Sequence, residues 1–160
     1  MFPLIAMGIV IDQLVKLLVI STFSVGEWIT PVPGVHITLA LNTGVAFGLF
    51  STSQGIGYYL LNTLIIIFNA ILVENLSASN KACLVYRYGI ACIIIGGFSN
   101  LIDRFIYGAV IDYLTFGAAW LRWPTIFNLA DVLICTGCLM LLISNQTLSH
   151  KFSKQAPQSA

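Results

Sequence analysis

Four aspartates stand inside or beside long apolar runs of a chain that carries few charges: Asp12, Asp103, Asp112 and Asp131. The sequence has 160 residues, of which only six are acidic and seven are Lys or Arg. Placing a carboxylate in hydrocarbon costs about 2.5–3.5 kcal/mol on insertion scales, so an intramembrane acid marks a pathway or a reaction. Asp112 lies in the string VIDYL and Asp131 in FNLAD, each at the margin of an apolar segment. Two close carboxylates cannot both ionise cheaply, so one keeps a proton near neutrality while the other acts as a base. That combination is the general acid and base of a water-activating peptide hydrolase. Read singly, Asp112 is equally a helix cap or interface residue; the chemical reading rests on the pair.

The other polar residues repeat helical spacings. Asp12 and Lys16 are i, i+4 with the acid first, the order that forms the better intrahelical ion pair. Such a pair also serves simply to lower the insertion cost of both partners. Asn100 and Asp103 are i, i+3, and Arg104 is i+4 from Asn100, so all three share a face if the stretch is helical. A guanidinium there can brace several carbonyls or carboxylates. Asn128 and Asp131 repeat the i, i+3 spacing, which lets the amide hold the carboxylate or a substrate carbonyl. No Ser/His or Cys/His set competes, because His36 and His150 fall far apart. Carboxylates alone would need more acids or histidines to hold a metal, so no metal or organic cofactor is expected. Cys135 and Cys138 have a C-x-x-C spacing but lack a second ligand pair, and the four cysteines, with Cys83 and Cys92, read as small, buried membrane-helix residues.

These residues require a membrane scaffold. Hydrophobic residues make up 58% of the chain and charged ones 8%, with mean hydropathy +0.94, well outside the soluble globular class. A net charge of +1 without a basic stripe excludes nucleic acid as a partner. Four apolar stretches, about 1–20, 56–73, 83–102 and 127–143, approach the length of a bilayer-crossing helix. The N-terminus lacks a basic leader, and Asp12 and Lys16 interrupt its run, so it reads as a retained first span. Residues 24–48 differ: Gly26, Pro31, Pro33 and Gly34 are turn residues, followed by the β-branched run VHITLAL and by Gly44-x-x-x-Gly48. The expected architecture is therefore an α-helical membrane protein of four spans with a small β-rich element on the outer face. It forms a single domain with a polar, disordered tail over 144–160. Lys81, Arg87, Lys151 and Lys154 place both termini in the cytoplasm by the positive-inside rule, leaving Arg122 outside. All four acids then reach the outer half of the bilayer, with Asp12 about 16 Å along the first helix. Trp28, Trp120 and Trp123 suit the outer interface.

In these blocks the chain resembles the lipoprotein signal peptidases, the bacterial signal peptidase II family of membrane aspartic proteases. Asp12-Gln13-x-x-Lys16 is similar to the family's first-span block, and Asn42-x-Gly44-x-Ala46-Phe47 to its second. Asn100-x-x-Asp103-Arg104-x-x-x-Gly108-x-Val110-x-Asp112-Tyr113 and Phe127-Asn128-x-Ala130-Asp131 resemble the third and fourth. Ser99 stands where the family usually has Gly. The resemblance implies that Asp112 and Asp131 are the catalytic dyad. It implies Asn100, Asp103, Arg104 and Asn128 as supporting polar residues, joined by Asp12 and Lys16, and Asn42 as a substrate-side contact. It further implies removal of a signal peptide from a lipidated prolipoprotein, just before the diacylglyceryl-modified cysteine, at the bacterial cytoplasmic (inner) membrane. The rival expectation from the acids alone is a small proton-coupled transporter using Asp and Arg as a relay. The inner half of the bilayer offers that relay no acidic step.

Overall fold

A computed structural model of the chain describes residues 1–44, 55–79, 83–118, 121–122 and 125–155; side chains are described up to residue 144 and not at 118, 121 or 122. Four helices and four strands follow one another as α1 (Phe2–Thr22), β1 (Trp28–Val32), β2 (Val35–Asn42), α2 (Ile56–Ala78), α3 (Leu84–Tyr107), β3 (Val110–Ala118), β4 (Leu121–Arg122) and α4 (Leu129–Gln155). Among the described residues three helices, α1, α2 and α3, are long and apolar enough to cross a membrane, and α4 adds a shorter apolar stretch, Leu129–Ser144. The tail expected to be disordered from Ser144 is helical to Gln155. No Gly or Pro interrupts it before Pro157, and the residue ahead of a proline is biased out of the helical region.

Helix α3 is the central post. Two-thirds of its apolar window is buried, against about a fifth in α1 and α2, and α1, α2 and α4 all pack on it. Glycine makes the α3–α4 approach possible: a Cβ on Gly96 would strike the Ala130 carbonyl and lie 2.6 Å from Ile134. Away from the strands, Ile5, Leu72, Leu76, Ile90 and Ile94 form an apolar cluster joining α1, α2 and α3. Large side chains on the remaining faces, among them Leu18, Leu64, Ile106 and Leu142, are exposed, as lipid-facing positions should be.

The strands make an antiparallel sheet of order β1-β2-β3-β4 at one end of the helices. Only its first hairpin was legible as a β-rich element; β3 and β4 come from the segment that follows α3. Gly108 ends α3 in the left-handed region at φ 71°, its N–H bonding the Arg104 carbonyl at 3.0 Å. The chain then reverses into β3. Val19, Leu39, Ile111 and Tyr113 close a second apolar cluster between this sheet and α1. The proposed G-x-x-x-G partner Gly48, with Ala46 and Phe47, lies outside the described residues, as do Lys81, Trp120 and Trp123. The side chains of Arg122, His150, Lys151 and Lys154 are outside them too.

Candidate active site

The site forms where β3, the C-terminal half of α3 and the start of α4 meet. Asp112 is neither a helix cap nor a solvated residue: it sits within strand β3, opposite Ala40 of β2, and is 3% exposed. Asn42 pairs with Val110, so Asn42 and Asp112 project from the same face of the sheet. The Asn42 amide donates to Asp112 Oδ2 at 3.0 Å, while its own oxygen accepts the Gly44 N–H at 3.0 Å.

Asp131 arrives from the opposite side. Asn128 is the N-cap of α4 rather than a residue within the span, and Asp131 is its N3 partner. The Asp131 N–H donates to Asn128 Oδ1 at 2.9 Å, and the Asn128 N–H donates to Asp131 Oδ2 at 3.2 Å. This reciprocal box satisfies two orphan donors of the helix start and holds the carboxylate where the helix dipole favours negative charge. The same Asn128 amide donates to Asp112 Oδ1 at 2.7 Å. One asparagine thus holds both carboxylates, one through its side chain and one through its backbone. The segment leading to it is stitched onto β3 by Leu114–Phe127 hydrogen bonds of 2.8 and 2.9 Å.

Behind the two acids lies a buried charge network on α1 and α3. Lys16 Nζ is 2.8 Å from Asp12 and 2.6 Å from Asp103, and all three side chains are essentially inaccessible. The ammonium also donates to Asn100 Oδ1 at 2.9 Å. An ammonium offers only donors, so it turns the Asn100 oxygen toward itself and the Asn100 NH2 toward Asp131 Oδ1, at 2.8 Å. Asp103 in turn accepts the Ile111 N–H at 3.3 Å and so anchors β3 beside α3. Arg104 braces carbonyls: Nη1 donates to Asn100 O at 3.2 Å and Nη2 to Gly44 O at 3.1 Å. Asn100, Asp103 and Arg104 therefore do share the site side of α3, and Asp12 and Lys16 join them from α1.

Three contributors were not singled out as site residues from sequence. Gln13 donates to Asp103 Oδ1 at 2.9 Å and to the Ser99 carbonyl at 3.1 Å; its place one residue after Asp12 was the available signal. Tyr113 accepts the Leu129 N–H at 3.2 Å, and burial pushes its phenol up to about 12, so it stays neutral. Tyr58 donates to the Arg104 carbonyl at 2.6 Å from α2, which nothing in the local sequence announced. The Ser99 hydroxyl, which replaces the family's usual glycine, is buried without a partner. The cysteines are free, and the expected burial does not hold: Cys135 and Cys138 are exposed on α4, Cys83 is exposed at the N-cap of α3 and Cys92 is half-buried, their apolar side chains facing outward as lipid-exposed positions do.

Asp112 is pushed up to about 7, first by desolvation and then by the neighbouring Asp131 charge, against the pull of its Asn42 and Asn128 hydrogen bonds. A carboxyl in this range can exchange a proton at neutral pH.

A sequence model of the family described as Signal peptidase (SPase) II matches residues 4–146. The chain is 34% identical over 141 residues to a lipoprotein signal peptidase of Actinobacillus succinogenes, covering 88% of this chain and 85% of that one. It is 36% identical over 134 residues to a lipoprotein signal peptidase of Burkholderia mallei, covering 84% and 80% respectively. In fold it is similar to a bacterial membrane enzyme solved by the in meso method at 2.3 Å resolution, with a TM-score of 0.74 and 22% identity over 99% of this chain and 93% of that one. A second such structure, at 1.9 Å, gives 0.70 and 23% over 89% and 90%.

Proposed function

The chain belongs to the signal peptidase II family, and from that premise we propose that it is an aspartic endopeptidase that cleaves prolipoproteins before their diacylglyceryl-modified cysteine. The family's protease character and the names of the relatives remove the transporter alternative. The observation that carries the aspartic chemistry is the placement of Asp112 and Asp131 on the two ends of one asparagine, Asn128.

In the proposed mechanism the pair carries one proton at neutral pH. The ionised member takes a proton from water as the water attacks the scissile carbonyl, and the protonated member donates to that carbonyl oxygen. On collapse the proton gained by the base passes to the leaving amine while the other carboxylate takes back a proton from the gem-diol hydroxyl, and the pair returns to its starting state. Asn128 and Asn100 hold the carboxylates at fixed angles, and Arg104 fixes the Gly44 backbone on the substrate side. Asn42 holds Asp112 and lies at the edge where the peptide would approach. Lys16 pairs with both Asp12 and Asp103 beneath the pair.

In the membrane we place four spans, α1 to α4, with the sheet and the site at the outer surface and both termini in the cytoplasm. All four helices bring their strand-proximal ends to the same side, and Arg87 lies at the opposite end of α3, which supports that orientation. The substrate's lipid and apolar signal segment would stay in the bilayer while its peptide bond reaches the acids.

The direct test is purified protein incubated with a lipidated and an unlipidated prolipoprotein, read by gel shift. Only the lipidated form should be shortened. Asp112→Asn and Asp131→Asn should each abolish the shift while inserting normally, because an amide keeps the size and loses the acid–base function. Activity within tenfold of the parent in either variant removes the dyad assignment.

A further inference from the structure

Helix α2 takes no part in the chemistry described above, apart from the Tyr58 hydroxyl. Yet one of its faces is unlike a lipid-anchoring helix. Asn62 is 4% exposed, and among the described residues neither atom of its carboxamide has a hydrogen-bond partner. Asn69, 2% exposed, bonds only the Ile65 carbonyl of its own helix through Nδ2 and leaves Oδ1 unpaired. Tyr58, Asn62 and Asn69 are spaced by four and seven residues and therefore lie along one stripe of the helix. That stripe is turned toward α3: Tyr58 bonds the Arg104 carbonyl, and Asn69 lies so close to Gly97 that a Cβ there would sit 2.6 Å from its amide. Asn62 falls between them, about 6 Å along the helix from Tyr58 on the side away from the sheet.

An unsatisfied carboxamide buried in an apolar span is costly, and leucine would serve packing better. A cost retained at a position facing the site helix points to a partner that is present only during turnover. The chemistry of that partner follows from the group. A free carboxamide offers one acceptor and a donor pair, the complement of a single peptide unit. A substrate peptide approaching the acids must leave helical geometry near its scissile bond, and in hydrocarbon its freed N–H and C=O groups need partners. Arg104 connects the two places: its carbonyl accepts Tyr58, while its guanidinium donates to the carbonyl of Asn100, whose side-chain amide holds Asp131.

We propose that Asn62 is a substrate-binding residue: in the seam between α2 and α3 it hydrogen-bonds the peptide backbone of the signal segment just upstream of the scissile bond. This rests on the peptidase reading given above. Helix α2 is mostly lipid-exposed and packs on α3, so under this proposal the peptide would enter from the bilayer between those two helices.

The test compares the parent, Asn62→Leu and Asn62→Gln for thermal stability in detergent and for steady-state cleavage of a lipidated prolipoprotein. Asn62→Leu removes an unpaired buried amide, so the free enzyme should melt a few degrees higher. The same change should raise KM about tenfold with kcat little altered, because the substrate's peptide unit loses its partner. Asn62→Gln should recover part of the KM. A higher melting temperature with an unchanged KM overturns the proposal, making Asn62 an internal imperfection. A lower melting temperature in the leucine variant, with KM unchanged, overturns it equally by giving the residue a purely structural role. If Asn62→Leu fails to insert, Asn62→Gln alone decides, with KM displaced for the proposal and KM at the parent value against it. Failure of the parent to cleave at all would strike the peptidase reading itself, a result distinct from any of these.

Discussion

Replacing Asn42 by alanine should move the alkaline limb of the pH–rate profile upward. Asp112 ionises near 7, and its Asn42 and Asn128 hydrogen bonds both favour the charged form. Once Asp112 and Asp131 are both ionised, the pair has no proton to give the carbonyl, so kcat/KM should fall as pH rises through about 7. A hydrogen bond to a charged group contributes about 1.5–3 kcal/mol. Asn42 is only half-buried, so water recovers part of the loss, and about 1.4 kcal/mol remains, equivalent to about one pH unit. Losing a group that stabilises the charged form raises the ionisation point, here to about 8. At pH 8 the parent should retain about a tenth of its plateau rate and Asn42→Ala about half of its own. The assay is kcat/KM for a lipidated prolipoprotein at half-unit steps from pH 5 to 10, since that parameter reports the free enzyme. The plateau is expected to drop as well if Asn42 also touches the peptide, but the limb's position is independent of that loss. A limb that stays in place, or moves to lower pH, refutes the claim that Asn42 tunes Asp112.

Two further outcomes test the frame around the pair. Arg104→Lys should lower turnover partially and Arg104→Ala more severely, because an ammonium cannot reproduce the fork that reaches both the Asn100 and Gly44 carbonyls; parent-like cleavage and melting in Arg104→Ala would reduce the residue to an interface charge. A reporter fused after the last residue should be active only as a cytoplasmic reporter, and activity of a periplasmic one there would mean an odd number of spans.

Much of the site was legible because intramembrane polar residues are too costly to be scattered. Asp12, Lys16, Asn100, Asp103, Arg104, Asn128 and Asp131 stand out against apolar neighbours, and their i, i+3 and i, i+4 spacings encode shared helix faces. What spacing could not encode was the partner across the interface. Asp112 looked like a turn or cap residue because β3 is specified by pairing with β2, a contact some 70 positions away in the chain. The Asn128–Asp131 spacing was correctly seen, but it means a capping box at the start of α4, not a face within a span. Helix α4 itself was cut short, since composition turns polar at Ser144 while the backbone has no reason to stop there. Tyr58 went unnoticed as a partner of Arg104 because one polar residue in an apolar helix carries no signal about which helix it faces.

The two acids are held in ways that differ physically. Asp112 rides on a strand flanked by two side-chain amides, with no full positive charge bonded to it. Asp131 sits at a helix N-terminus, and its Asn100 amide is itself oriented by Lys16, which is neutralised in turn by Asp12 and Asp103. The network therefore does more than lower the cost of burying charge. Removing Lys16 would leave the Asn100 oxygen to the Asn128 amide at 3.2 Å and weaken the orientation that aims the Asn100 NH2 at Asp131. A pair of like acids on one asparagine becomes unequal through its surroundings. In the proposed mechanism that inequality would let one member hold a proton while the other accepts one.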